Sequence, residues 1–294
     1  MLTVTGISRR FGDLRVLDDV SFDVRPGRMT GFLGANGAGK TTAMRIILGV
    51  LAAHGGSVSW NGQQVTQSLR QRFGYMPEER GLYPKMKIAE QVAWLGQLHG
   101  LDRATARRNT ERLLDQLGLG ERANDRLEQL SLGNQQRVQV AAALVHDPVL
   151  LILDEPFSGL DPIAVETVLG VLRERAASGV PVLFSSHQLA IVERLCDDLV
   201  IISGGAIAAN GDREELRVRH GGTRYELLVD GDAGWLRDMS GVRLLDLDGA
   251  RAVFELDPAG PGDQDVLRAA LDRGPVRSFA PVLPTLDEIF KEVI

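Results

Sequence analysis

Cysteine is all but missing from this chain of 294 residues: Cys196 stands alone, so no disulfide can form within it. That scarcity suits a reducing compartment. Long apolar runs are missing too. A stretch such as "VLLIL" (Val149 to Leu153) falls far short of the roughly 20 residues that a membrane-spanning helix takes. The opening "MLTVTGISRRFGD" lacks the apolar centre of a signal peptide, so the chain reads as soluble by itself. There is no basic surplus: the net charge is −6, which gives no support to a nucleic-acid partner, since counterion release needs a basic surface. Lysine is rare in an arginine-rich chain, being confined to Lys40, Lys85, Lys87 and Lys291. Where lysine is this sparse, Lys40 needs a reason.

What remains is ordinary globular material, 44% hydrophobic and 24% charged, and the length suggests about two domains. The first segments, "LTVTG" and "VSFDV" before a "RPGR" turn, alternate like antiparallel β structure. A short apolar strand "MTGFL" then leads into "GANGAGKTT" and a helical pattern through Met44, Ile47, Val50 and Leu51. "GSVSWNGQQV" predicts a hairpin around Asn61-Gly62. Residues 88–129 are helical and polar-faced, and buried-strand signals return at "VLLILD" and "VPVLFSS", flanking a helix from Ile163 to Ala177. Alternating strands and helices predict an α/β fold with a parallel sheet covered on both faces and a helical insertion.

The texture changes near "RHGGTR". Beyond it, "RYELLVDG", "VRLLDLDG" and "RAVFELDP" each alternate and close on a turn, and a helix "DVLRAALDRG" follows. In "PTLDEIFKEVI", Thr285 and Glu288 are spaced as a capping box. This part is predicted to be a small α+β domain.

The chemistry gathers in two places. "GANGAGKT", Gly34 to Thr41, fits G-x-x-x-x-G-K-[ST] between a strand and a helix. Glycines let successive backbone N–H groups curl around phosphate oxygens, and the helix N-terminus adds its dipole. Gly34, Asn36, Gly37, Ala38, Gly39 and Thr42 are candidate phosphate contacts. Lys40 is placed for the β and γ phosphates, and the Thr41 hydroxyl for Mg²⁺. In "LLILDEP", an apolar strand delivers Asp154 to a sheet edge as a second Mg²⁺ ligand, and Glu155 is placed to orient or deprotonate an attacking water. Together they predict Mg-nucleotide hydrolysis.

With "YMPEE", "LSLGNQQR", "SGLD" and "SSH" added in fixed order, residues 2–218 resemble the ATP-binding cassette family. The resemblance implies a P-loop cassette of mixed sheet with an N-terminal antiparallel β subdomain and a helical subdomain at about 86–136. It divides the chain into a nucleotide-binding domain at 1–218 and an accessory domain at 222–294. It implies ATP as ligand, a second cassette (identical or a close paralogue) and separate transmembrane permease subunits, with the chain cytoplasmic and peripheral on the inner face of the membrane. Ser131, Gly133 and Asn134 would grip the γ-phosphate of ATP held by that second cassette. Phe11 would stack on adenine, Asp161 would belong to a loop at the dimer interface, and His187 would contact the γ-phosphate. Glu78 stands where the family usually has glutamine, as a further Mg²⁺ ligand, and Leu132 and Asn134 depart from the family's L-S-G-G-Q. The ending matches the ATPase subunits of drug- or sodium-export systems. The rival expectation is a soluble ABC ATPase acting on ribosomes or DNA. It is disfavoured by the single nucleotide motif and by a Lys40-to-Asp154 interval without sustained heptads.

Overall fold

The computed structural model describes residues 1–79 and 81–294; Arg80, directly after the quoted "YMPEE", lies outside the described residues. Two compact units separate, Met1–Arg213 with Val293–Ile294, and Glu214–Glu292.

In the first unit, β1 (Leu2–Phe11) and β2 (Leu14–Val24) pair antiparallel. Alternation places Leu2 and Val4 inward, and a register irregularity between Val4 and Ile7 returns Ile7 to the same face, each at most 1% exposed. β3 (Met29–Leu33) is buried at every position and runs into the glycine-rich loop and α1 (Lys40–Ile47). β4 (Gly55–Trp60) and β5 (Gln63–Gln64) form the expected hairpin, with Asn61 and Gly62 at φ 49° and 78° as a type I′ turn demands. A one-turn α2 (Gln67–Arg70), capped by Thr66, precedes β6 (Phe73–Met76).

The helical insertion is α3 (Ile88–Leu98), α4 (Arg103–Gln116, capped by Asp102) and the start of α5 (Leu132–Leu144, capped by Ser131). Then come β7 (Leu150–Leu153), α6 (Pro162–Ala177, capped by Asp161 with proline at its first position), β8 (Val182–Ser185) and α7 (Leu189–Leu195). β9 (Asp198–Ser203) and β10 (Ala206–Asp212) close the unit.

Two sheets result. One has the order β2-β1-β4-β5, the other β10-β9-β3-β8-β7-β6. In the second, five strands are parallel and only β10 is antiparallel, so the sheet is mixed. The apolar residues of both sheets and of α1 share one core, in which Leu17, Phe32, Ile47 and Ile152 are 0% exposed. At about 1.5–3 kcal/mol per buried large side chain, this core is the main reason the strand ends stay put.

The second unit holds α8 (Arg213–His220, which begins one residue before it), β11 (Arg224–Val229), β12 (Val242–Asp248), β13 (Arg251–Leu256), α9 (Asp263–Leu271), β14 (Val276–Pro281) and α10 (Leu286–Val293). Its antiparallel sheet runs β12-β13-β11-β14. Phe254, Leu227 and Val266 are buried at its centre, and Tyr225 stacks on Phe279 with centroids 5.3 Å apart. The Thr285–Glu288 box forms in both directions, Thr285 N–H to Glu288 Oε2 at 2.8 Å and Glu288 N–H to Thr285 Oγ1 at 3.3 Å. β14 has no counterpart in the sequence pattern. It is an edge strand with mostly exposed side chains, ending in Pro281, so it lacks the alternation that burial imposes.

Two histidines stack inside the first unit. His99 and His146 have ring centroids 3.8 Å apart, with His99 Nδ1 on Gln71 O at 2.9 Å and His146 Nε2 on Phe73 O at 3.2 Å. Burial and then the His99 ring push His146 down from 6.5 to about 4. The unfolded chain therefore takes up this proton more readily. The stability contribution is complete above pH 6.5, declines as pH falls towards about 4, and is constant below. After screening at a part-exposed ring, the loss should be on the order of 1–2 kcal/mol. His146→Gln keeps a donor for Phe73 O and takes no proton, so it should flatten the fall in melting temperature over that interval. An unchanged pH profile would count against this pair as the cause.

Candidate active site

Among the described residues the buried charged side chains are Lys40, Asp154, Glu155 and Asp198. Buried charges need partners, and the partners separate structure from function. Asp198 receives Arg25 Nε at 2.9 Å and Arg28 Nε at 2.9 Å, which ties β9 to the turn before β3. It is neutralised and structural. The other three converge at the carboxyl ends of the parallel strands, where open α/β sheets bind ligands.

The loop after β3 carries glycine for two distinct reasons. A Cβ on Gly34 would lie 2.5 Å from the Ile202 carbonyl oxygen, which is backbone and cannot move aside. Gly39 sits at φ 110°, where a Cβ would meet Leu17 Cδ2 at 2.6 Å. Lys40 curls into its own loop, donating to Gly34 O at 2.7 Å and Ala35 O at 3.2 Å. An arriving phosphate oxygen would compete for those donors. Asn36 is exposed at the loop tip, Gly37 adopts φ 81°, Ala38 is buried, and Thr42 follows in the first turn of α1.

β7 delivers the acids. Asp154 Oδ2 accepts from Thr41 Oγ1 at 2.8 Å, and Asp154 Oδ1 accepts from Ser185 Oγ at 2.5 Å. Ser185 Oγ in turn accepts from the Glu155 backbone N–H at 2.9 Å. Glu155 has φ 51°, a left-handed conformation that costs a non-glycine residue about 1–3 kcal/mol. Its Oε2 lies 2.9 Å from His187 Nδ1. Lys40, Thr41, Asp154, Glu155 and His187 thus occupy adjoining strand ends, linked in part through Ser185.

Glu78 is exposed but lines a cavity of about 220 Å³ together with Thr41, Asp154, Tyr75 and Arg45. A hydroxyl and two carboxylates there are hard oxygen donors, few enough to leave positions for phosphate and water, and they fit Mg²⁺. Burial and then Asp154 push the Tyr75 phenol up, so it stays protonated beside the cavity.

Other expected residues lie elsewhere. Phe11 ends β1 with its ring 47% exposed and the Arg9 guanidinium 4.8 Å from its centroid. Ser131 Oγ caps α5 by accepting from Asn134 N–H at 3.3 Å, and Asn134 Oδ1 accepts from Arg137. Asp161 Oδ1 caps α6 through Ala164 N–H at 2.8 Å. Among the described residues, Ser131, Gly133 and Asn134 make no hydrogen bond to Lys40, Thr41, Asp154 or Glu155. Three participants had not been singled out in the sequence: Ser185, Gln136 and Arg45. Ser185 begins the quoted "SSH", where only the histidine drew notice.

A parallel sheet with this loop and these acids defines a P-loop nucleoside triphosphatase. The family described as ABC transporter matches residues 17–158, and the domain described as ATP-binding protein DrrA1-3-like, C-terminal, matches 211–294. The uncharacterized ABC transporter ATP-binding protein YhaQ of Bacillus subtilis is 37% identical over 296 residues, covering 100% of this chain and 98% of the relative. The linearmycin resistance ATP-binding protein LnrL of B. subtilis is 34% identical across 79% of this chain and 76% of its own. A solved structure of an ATP-binding subunit of an ABC transporter superposes with TM-score 0.70 at 34% identity, covering 75% of this chain and 93% of that one. The chain belongs to the ATP-binding proteins of the ABC transporters, and it is an ATPase subunit of that family.

Gly34→Ala should abolish binding of a fluorescent ATP analogue and cost about 1–3 kcal/mol in a denaturant melt, because backbone must shift to admit the methyl. Undiminished nucleotide binding would contradict the close approach to Ile202 O.

Proposed function

We propose that residues 1–218 hydrolyse Mg-ATP to drive export through separate transmembrane subunits, and that residues 222–294 form an accessory domain. The observation that carries the reading is the linked set at the strand ends: Thr41 on Asp154, Asp154 on Ser185, Glu155 on His187.

In this reading Lys40 exchanges its own loop's carbonyls for β- and γ-phosphate oxygens, and the loop N–H groups take the remaining charge. Thr41, Asp154 and Glu78 would hold Mg²⁺, which when bound neutralises charge on the phosphates. Glu155 orients a water for in-line attack on the γ-phosphorus and accepts its proton. The bond to the β–γ bridging oxygen breaks, and ADP leaves. His187 holds the Glu155 carboxylate in place from one side and faces the γ-phosphate from the other. Phe11 is exposed enough to stack on adenine.

Ser131, Gly133 and Asn134 head an N-terminus whose dipole suits a phosphate. They reach none of this chain's catalytic groups by hydrogen bond, which supports a ligand held by a second cassette, with Asp161 in the loop beside it. ATP then favours the closed pair and hydrolysis releases it.

Among the described residues no helix is long and apolar enough to cross a membrane; in this reading separate chains move the substrate. Tyr83 and Trp94, 59% and 39% exposed, pack edge to face at 6.2 Å, and in this reading they offer such a partner an aromatic surface. Buried Gln91 clamps the Tyr83 backbone from both sides, through Tyr83 N–H at 2.6 Å and Tyr83 O at 3.3 Å. Export is supported by relatives named for linearmycin resistance and, at 37% identity in Ralstonia nicotianae, for Nod factor export. The cytoplasmic face of the membrane is the matching location.

Glu155→Gln should lose hydrolysis by about 10²-fold or more while retaining ATP, as expected of a lost catalytic base. Used as a trap in detergent-solubilised membranes, it should recover a multi-span protein; recovery of ribosomes would overturn the export reading. Glu78→Gln removes a charged oxygen ligand beside the triphosphate and should shift the Mg²⁺ titration of ATPase activity to higher concentration. An unmoved titration would remove Glu78 from the metal site.

A further inference from the structure

Gly133, Gln136 and Gln139 recur every three residues and therefore share one face of α5. Each meets a segment of the catalytic edge. A Cβ on Gly133 would lie 3.4 Å from Gly159 O, in the loop after β7. Gln136, only 3% exposed, donates its Nε2 to the backbone carbonyl of Glu155 at 3.0 Å. Gln139, 4% exposed, donates to Glu79 O at 3.3 Å, in the segment that carries Glu78.

The Gln136 bond matters because of the residue it holds. Glu155 is strained at φ 51°, and a strained backbone persists only where its surroundings over-determine it. Its N–H is held by Ser185 Oγ, its carboxylate by His187, and its carbonyl by Gln136 and, from its own loop, by the Ser158 N–H at 3.1 Å. The first two holders belong to β8 and the residues just after it. Gln136 alone comes from α5, the helix that Ser131 caps. A helix moves as a rigid body. Displacing the Ser131 end by half an ångström carries Gln136 with it, enough to take a 3.0 Å bond beyond good hydrogen-bond length.

We propose that Gln136 is a positioning residue for ATP hydrolysis. It fixes the Glu155 peptide so that the carboxylate points at the attacking water, and it makes that aim depend on how α5 is seated. Engagement of the Ser131 end by a second copy's nucleotide would thereby be read out at this copy's own base. The inference rests on Glu155 as the base and on α5 as the helix that meets the second nucleotide.

The test uses the full-length chain with two near-isosteric variants. Gln136→Met fills the same space without a donor. Gln136→Glu has the same shape but donates only when protonated. Gln136→Met should lower kcat by about 10²-fold, the usual cost of a small misplacement, and leave the Kd for a fluorescent ATP analogue within about two-fold. Gln136→Glu should regain rate relative to the native chain as pH falls into the range where a buried carboxyl protonates. A merely structural glutamine would move Kd and kcat together and show no such recovery. Wild-type turnover by Gln136→Met, or a Gln136→Glu profile parallel to the native one, overturns the proposal. If Gln136→Met fails to fold by circular dichroism, the Gln136→Glu profile decides. Glu155→Gln run alongside separates the two readings. An inert Glu155→Gln beside a fully active Gln136→Met sinks only the role of Gln136. An active Glu155→Gln sinks the assignment of the base, and this inference with it.

Discussion

The Asp154 carboxylate is the interaction on which the catalytic edge depends. It is 1% exposed and accepts two hydroxyls, Thr41 Oγ1 from the loop after β3 and Ser185 Oγ from the end of β8. One side chain thus ties three neighbouring strand ends together. Hydrogen bonds to a charged acceptor are worth about 1.5–3 kcal/mol each, and a buried carboxylate without them would leave costly unpaired oxygens. Ser185 passes the constraint on to the Glu155 N–H, so Asp154 and Glu155 are positioned by one hydroxyl.

That arrangement is possible because the strands beneath it are rigid. β3, β7 and β8 are buried at every residue, and their parallel registers set Phe32 beside Ser185 and Leu153 beside Phe184. Strand ends so fixed can carry unfavourable backbone, as at Glu155 with φ 51°. That strain is balanced by packing further down the sheet. The same economy explains Asp198, a buried acid of the same unit whose two arginines leave it nothing further to do.

α5 stands in a different relation to the site. Its start offers an exposed Leu132 and a capped N-terminus to the surroundings, while its next turns reach inward with buried amides. An element with one end outside and one side in the active site is suited to link events at a second nucleotide to those at its own. Trp94 of the same helical insertion and Tyr83 just before it provide an aromatic surface, steadied by Gln91.

The sequence alone determined the loop, the acids and the order of motifs, because each depends on residue type at short spacing: glycines before a lysine, an apolar strand before two carboxylates. It also determined the Asn61-Gly62 hairpin and the Thr285–Glu288 cap, whose partners lie only a few residues apart. Tertiary structure decided what lies far apart in the chain. Thr41 meets Asp154 across 113 positions and Ser185 meets it across 31, distances over which no local pattern carries information. Gln136 read as one amide among several in "LSLGNQQRV" until folding set its donor on Glu155 O. β14 and the antiparallel partner β10 stayed illegible for a related reason: neither edge strand has a fully buried residue, so the core imposes little on their residue types.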